Sequence, residues 1–318
     1  MTELKIIRFE DVESKPVEWL WYPYIPYGKI TIIQGDPGEG KTTLVLNLAS
    51  MLSRGDALPY NDKPSTPINI IYQTAEDGVD DTIKPRLEAA NADCTRIFYI
   101  DESDKDLSMR DIRLEQAIKA HEARLVILDP LQAYLGAEVN MNRANEVRPI
   151  MKHLANVAAD NNCAIILIGH MNKASTIKST YRCLGSIDFQ GAARSVLVVG
   201  RTISNPNMRI MCPDKSSLAP EGDAITFELN PETGFNWIGK IKMTSSELIS
   251  GNDINIPKKQ QAVELLSDLL SNGMMGQKEI NNAAQNAGIC TRVLNEAKKD
   301  LNIRSIKRKE GWYWQLPT

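Results

Sequence analysis

Residues 32–44, IIQGDPGEGKTTL, constrain the fold more than any other stretch of this 318-residue chain. An apolar, β-branched run enters a turn with glycines at 35, 38 and 40, and an apolar, helix-compatible run leaves it. The spacing Gly35-x-x-x-x-Gly40-Lys41-Thr42 fills every defined position of the phosphate-binding loop that joins a strand to a helix. Glycines let successive backbone N–H groups converge on an anion, and the following helix N-terminus adds its dipole. Lys41 is spaced to reach β and γ phosphate oxygens, and the Thr42 hydroxyl to ligate Mg²⁺. Gly35, Asp36, Pro37, Gly38, Glu39, Gly40, Lys41, Thr42 and Thr43 are therefore the expected binding set for ATP or GTP with Mg²⁺.

A loop of this kind needs strands buried on both faces, and the chain supplies them. Short, nearly continuous apolar runs occur at 29–34, 68–74, 96–100, 124–129 and 164–169, separated by helix-compatible stretches at 41–53, about 79–91, about 110–121 and 142–162. Pro149 falls early in the last of these, in its first turns or at a kink. Strand and helix alternating in this way predict right-handed crossovers and a doubly wound parallel sheet. From 195 the pattern changes: runs at 195–201, 208–212, 224–229 and 234–239 follow one another with turn signals such as NPN and PETG between them. These read as hairpins that extend the sheet with antiparallel strands. Expected boundaries are a core over 1–243, a polar linker over 244–257 and a small domain over 258–318.

Composition excludes several classes. Hydrophobic residues make up 42% of the chain, enough for a full α/β core. The five cysteines, Cys94, Cys163, Cys183, Cys212 and Cys290, are odd in number and scattered, which argues against a disulfide framework or a zinc site and for the reducing cytosol. No apolar run approaches the roughly 18 residues of a membrane span, and MTELKIIRFEDVE lacks the plan of a signal peptide. The expected location is cytoplasmic. Net charge is −3, but from Pro257 onward ten Lys or Arg face six Asp or Glu, a net of +4 against −7 for the rest. A basic tail on an acidic body localises any contact with a polyanion.

Hydrolysis needs a metal anchor and a group that activates water. Asp129 ends the run LVILD, at the carboxyl end of a buried strand where ligands of open α/β sheets gather, and is the second expected Mg²⁺ contact. Glu76, in IIYQTAED, lies just past another strand end and is the candidate general base. Capping of the next helix is its competing role, which Asp77 suits better. His170, in IILIGHMNK, alone of three histidines follows an apolar strand into a polar loop, where it can sense the γ-phosphate.

The order of phosphate loop, strand ending in Glu, strand ending in Asp, then GHMNK, GSIDFQGAARSVLVVGR and DKSSLAPEG resembles the RecA-like ATPases of the RepA and DnaB replicative-helicase group. Within that group it is similar to RepA-like ATPases that phages and mobile elements encode. The resemblance covers about residues 15–240 and implies a homo-oligomeric ring, usually a hexamer, with ATP between subunits. It implies basic residues reaching the neighbour's γ-phosphate as an arginine finger does. The matching candidates are Lys215 and Arg209, with Arg201 as a third; Lys215 and Arg209 share a strand face if their segment stays extended through Pro213. The alternative is solvated charge on an edge strand. The resemblance also places two loops on single-stranded DNA, here with Arg143 in one and Lys173, Lys178, Tyr181 and Arg182 in the other. Solvated loops are the competing reading.

Three short helix-compatible stretches and a terminal hairpin in 258–318 resemble a winged helix-turn-helix, with GICTRVLNEAKKDL in the recognition position. Arg292, Asn295, Lys298 and Lys299 would face DNA, with Lys307, Arg308 and Lys309 on the wing; such modules also bind proteins. The aromatic cluster Trp312, Tyr313 and Trp314 suits hairpin packing. Trp19 and Trp21 suit the core or a neighbouring subunit. The fold class is thus α/β, a RecA-like core with an antiparallel extension and a C-terminal winged helix. The expected activity is an oligomeric ATP-driven motor on single-stranded DNA, for which the resemblance implies a 5′ to 3′ helicase, with primase or another replication protein as possible partner. A DNA-bound ATP switch that never translocates, whether initiator, loader or regulatory ATPase, is the second reading, and a small-molecule kinase the third.

Overall fold

Period-two alternation in the apolar runs sends successive side chains to opposite faces, and the fold covers both. A computed structural model of the chain describes residues 6–61, 66–136, 138–171, 187–202, 205–251, 258–271, 273–308 and 311–317, without the side chains of 187, 258–260 and 264. It divides into two units, Met1–Asp253 and Ile254–Thr318.

The first unit opens with a small hairpin, β1 (Trp19–Trp21) and β2 (Ile25–Pro26). Then come β3 (Ile30–Gly35), α1 (Lys41–Arg54), β4 (Asn69–Thr74), α2 (Lys84–Ala89), β5 (Ile97–Phe98), α3 (Ile112–Ala120), β6 (Ala123–Asp129), α4 (Ala144–Asp160), β7 (Ala164–His170) and α5 (Ile187–Ala192). The series ends with β8 (Ser195–Arg201), β9 (Met208–Ser216), β10 (Ala224–Asn230), β11 (Gly234–Ile241) and α6 (Ser245–Ile249). One nine-stranded sheet has the order β11-β10-β9-β8-β3-β7-β6-β4-β5. Pairing from β8 through β5 is parallel, and from β8 through β11 antiparallel.

The expected hairpin series runs β8–β9–β10–β11, each pair antiparallel. β8 pairs parallel with β3, Ile32 against Val196, and only its other edge starts the antiparallel extension. Turn residues show where a strand ends; they do not identify the partner of its first edge.

Ile33, Ile127 and Ile168 pack on one face with Leu44, Val45 and Leu48 of α1 and Leu87 of α2. Ile32, Val126 and Leu167 pack on the other with Leu114 of α3, Ile150 and Leu154 of α4, and Phe189. Trp21 is fully buried and donates from Nε1 to the Pro59 carbonyl at 3.1 Å, which assigns it to the core; Trp19 is half-buried against Tyr22. Pro149 lies inside α4.

The expected linker starts with structure instead. Thr244 and Glu247 form a capping box that opens α6, and Leu248 packs on Gly200 of β8. The local signal is TSSE, a hydroxyl at the N-cap with a carboxylate three positions on.

The second unit contains α7 (Lys258–Leu270), β12 (Met275–Gly276), α8 (Gln277–Asn286), α9 (Thr291–Asp300), β13 (Arg304–Arg308) and β14 (Gly311–Gln315). Its three-stranded sheet has the order β12-β14-β13, and Leu266, Ile280, Leu294 and Trp314 share its core.

Candidate active site

β3 ends at Gly35 and α1 begins at Lys41, so the loop between them sits at the carboxyl edge of the sheet. Gly40 precedes the helix with φ of 87°, a left-handed conformation open to glycine at little cost. A Cβ on Gly40 would approach Leu229 Cδ1 to 2.5 Å, and one on Gly35 would approach the Val199 carbonyl oxygen to 2.1 Å. The second clash is with backbone, which cannot rotate away. Gly35→Ala is therefore expected to cost about 3 kcal/mol, lowering the thermal midpoint by roughly 6–12 °C; an unchanged midpoint would contradict this packing.

Lys41 is 4% exposed, and its ammonium donates to the carbonyls of Gly35 at 2.9 Å and Asp36 at 2.8 Å. Burial pulls its pKa below the ordinary lysine value, against the pull of Asp129 and Glu39. A desolvated cation held at the mouth of a glycine loop suits a polyphosphate, which supplies the opposite charge.

Asp129 ends β6 in register with Thr74 of β4. Its Oδ2 accepts from the Thr42 hydroxyl at 2.7 Å and from the Tyr72 phenol at 2.9 Å. Burial pushes the carboxyl above its ordinary pKa, and the two hydrogen bonds oppose that push. A hydroxyl and a carboxylate in contact beside a phosphate loop are the hard oxygen donors that Mg²⁺ takes together with phosphate, so the residues present fit that ion.

His170 ends β7, the strand between β3 and β6, and stands in register with Gly35. Its Nε2 lies 3.6 Å from the Glu76 carboxylate, which comes from the end of β4. The other ring nitrogen, Nδ1, is buried without a hydrogen-bond partner among the described residues. Glu76 keeps 63% of its side chain exposed, so water reaches it. Neither acidic residue caps the next helical segment: Asp77 pairs with Arg86 at 3.0 Å, and Gly78 starts that segment without a side-chain cap.

The three basic candidates behave differently from one another. Arg201 binds the chain's own loop, donating from Nε to Glu39 at 2.8 Å and toward the Gly38 carbonyl at 3.4 Å. Arg209 is 8% exposed beside Gly40 of that same loop and donates to the Pro206 and Met208 carbonyls. Burial, then Arg201, lowers its pKa. Lys215 donates to the Gln190 and Ala193 carbonyls at the end of α5. The expectation that Arg209 and Lys215 share a face does not hold. An irregularity in register opposes Leu197 to Pro213 but Val196 to Lys215, so Asp214 is extra on β9 and every later side chain changes face. Arg209 falls on the α1 face and Lys215 on the α5 face.

Arg143 precedes α4 and pairs with Glu146 at 3.1 Å on the surface. Lys173, Lys178, Tyr181, Arg182 and Lys309 lie outside the described residues. In the second unit, Arg292, Asn295 and Lys299 are exposed along α9, with Arg292 3.4 Å from Glu296. Lys298 is engaged otherwise: it donates to Ser305 and lies 4.0 Å over the Trp314 ring. Lys307 and Arg308 are exposed on the hairpin, 5.9 Å from the rings of Trp312 and Tyr313 respectively. Trp314 belongs to the core, whereas Trp312 is 49% exposed.

Sequence reading missed Tyr72, because its link to Asp129 runs between strands distant in the chain. It also missed an open cavity of about 610 Å³ that flanks the loop, lined by Thr43, Asn47, Arg86, Asn91, Leu229 and Phe235 among others.

Comparison with known proteins agrees with this geometry. The AAA domain family matches residues 2–176. The DNA repair protein RadA of Streptococcus pneumoniae is 25% identical over 184 residues, which are 56% of this chain and 39% of that protein. The chain thus spans about two-fifths of that relative's length. Among solved structures, a DnaB-like replicative helicase described with its primase interactions has a TM-score of 0.50 at 15% identity, over 64% of this chain and 56% of that one. The RadB recombinase has a TM-score of 0.49 at 20% identity, over 68% and 93%. The sheet order and the DnaB-like neighbour identify a RecA-like P-loop core with an antiparallel extension. With its phosphate loop, its Thr42–Asp129 pair and a match over more than half its length, the chain belongs to the AAA domain family of P-loop proteins.

Proposed function

We propose that the chain hydrolyses ATP and acts as an oligomeric DNA motor of the replicative-helicase type, moving on single-stranded DNA. The observation that supports it is the meeting, at one sheet edge, of Lys41, the Thr42–Asp129 pair and the Glu76–His170 contact. Thr42 and Asp129 would hold Mg²⁺, which would supply positive charge against the negative charge that develops on the phosphate. Lys41 leaves its loop carbonyls for the β and γ oxygens. Glu76, exposed and beside an imidazole, takes the proton of the attacking water. The cavity beside Thr43 and Asn47 receives the nucleoside.

His170 links this chemistry to DNA. It contacts Glu76 at 3.6 Å, and the chain runs from it into the segment carrying Lys173, Lys178 and Arg182. Release of the γ-phosphate alters the surroundings of Glu76 and is felt at the root of that segment. In the ring, Lys215 of one subunit completes the site of the next, which requires it to exchange the α5 carbonyls for a phosphate. Arg201 and Arg209 act within their own subunit, where Arg201 already holds the loop and Arg209 lies buried beside it.

The test measures ATP turnover with and without single-stranded DNA, together with unwinding of a duplex bearing a 5′ overhang. Stimulated turnover with strand separation is expected; stimulation without separation would replace the motor by an ATP-switched initiator, loader or regulatory ATPase. The second unit adds DNA affinity as a winged helix, with Arg292 and Lys299 on α9 contacting phosphate. The double substitution Arg292→Ala, Lys299→Ala is expected to reduce the slope of log affinity against log salt by about 1.4–1.8. An unchanged slope would turn this unit from DNA toward a protein partner.

A further inference from the structure

The phenol of Tyr72 is used by neither the phosphate loop nor the Glu76–His170 pair, yet it makes a buried hydrogen bond to the carboxylate beside both. Tyr72 is 3% exposed and stands opposite Ile127 on the neighbouring strand, two residues before Asp129 on the same face. From there its side chain reaches along the strand and donates to Asp129 Oδ2 at 2.9 Å. Ile83, Leu87 and Ile97 line the other side of its ring, around a mainly apolar cavity of about 220 Å³. The ring is thereby held while its hydroxyl points into the site.

We propose that Tyr72 is a positioning residue that presets the Asp129 carboxylate for Mg²⁺. Both hydrogen bonds to this carboxylate fall on Oδ2, which leaves Oδ1 as the oxygen that neither donor occupies. The two donors differ in what the metal does to them. Thr42 Oγ1 would itself hold the metal, so its contact with Asp129 would give way to that role. Tyr72 approaches from the strand side and would keep its bond. It therefore fixes the carboxylate rotamer before the ion arrives and keeps it afterward, as an outer partner orients a metal ligand. Among the described residues Tyr72 and Thr42 are the side chains that hydrogen-bond this carboxylate, so loss of the phenol leaves Asp129 without a permanent donor. The proposal rests on the reading of Asp129 as the metal-holding carboxylate.

The test compares Tyr72→Phe and Asp129→Asn with the unaltered full chain. Binding of a fluorescent ATP analogue is titrated with Mg²⁺ and repeated in EDTA, and thermal unfolding is recorded without nucleotide. Tyr72→Phe is expected to raise the Mg²⁺ concentration for half-saturation by about tenfold or more. Its affinity for the analogue in EDTA should stay within about twofold, because removing one oxygen leaves the ring and its packing in place. An unchanged Mg²⁺ midpoint in Tyr72→Phe, with a clear shift in Asp129→Asn, would overturn the role of Tyr72 and leave the metal reading standing. No shift in Asp129→Asn would remove that reading and the proposal with it. Equal losses with Mg²⁺ and in EDTA, alongside a lower melting point, would mark Tyr72 as purely structural and overturn the proposal as well.

Discussion

Replacing Glu76 with glutamine is expected to cut ATP hydrolysis by roughly 10²–10⁴-fold while ATP still binds, because the amide keeps the shape but loses the proton acceptor. The carboxylate lies past the end of β4, exposed, with the His170 imidazole 3.6 Å away. Rapid-quench turnover and equilibrium binding of an ATP analogue separate the two effects. A variant that hydrolyses normally would remove Glu76 from the reaction. Mixing this variant with Lys215→Ala extends the experiment to the neighbouring subunit. Activity that reappears in the mixture, when neither variant works alone, means a shared site. Full activity of Lys215→Ala alone would leave that lysine as the brace of α5, the role its hydrogen bonds to Gln190 and Ala193 already describe.

The second large effect is expected for Lys41→Ala. Here binding and turnover fall together, turnover by roughly 10²–10³-fold, since one positioned charge on the transferring group is lost. The variant should fold. In the unaltered protein the ammonium is desolvated among loop carbonyls, and removing it relieves that cost instead of opening an apolar void. Thermal shift with and without ATP reads both predictions at once: a normal midpoint without nucleotide, and loss of the ATP-induced rise. Retention of that rise would show that the loop binds phosphate without its lysine.

Much of the core was legible because its signals are local. A glycine loop between an apolar strand and a helix names its own context, and a buried parallel strand announces itself by a continuous apolar run. Asp129, Glu76 and His170 were found in the same way, each as the first polar residue beyond such a run. The structure then brought Glu76 and His170 to 3.6 Å, although β4 and β7 are not neighbours and β6 lies between them.

Other expectations failed where one residue changes a long-range register. The bulge at Asp214 inverts the side-chain alternation of β9, so two basic residues six positions apart point to opposite faces. No residue in that segment announces the bulge, since Pro213 is compatible with either outcome. The recognition-helix resemblance turns Lys298 toward DNA with Arg292, Asn295 and Lys299, but the β13–β14 hairpin brings Ser305 and Trp314 against it. Helical spacing says which side a residue occupies, and nothing about what another element lays over that side.

By itself the sequence determined the chemistry of the phosphate loop, the alternation of strands and helices, and the polar residues at the strand ends, because each depends on neighbours within a few positions. Only the tertiary structure decided that Tyr72 and Thr42 meet on one oxygen of Asp129, that Arg201 braces its own loop with Arg209 buried beside it, and that Lys215 lies on the far face. The reason is physical: these relations are set by strand order and register, and register is settled by the packing of both sheet faces together.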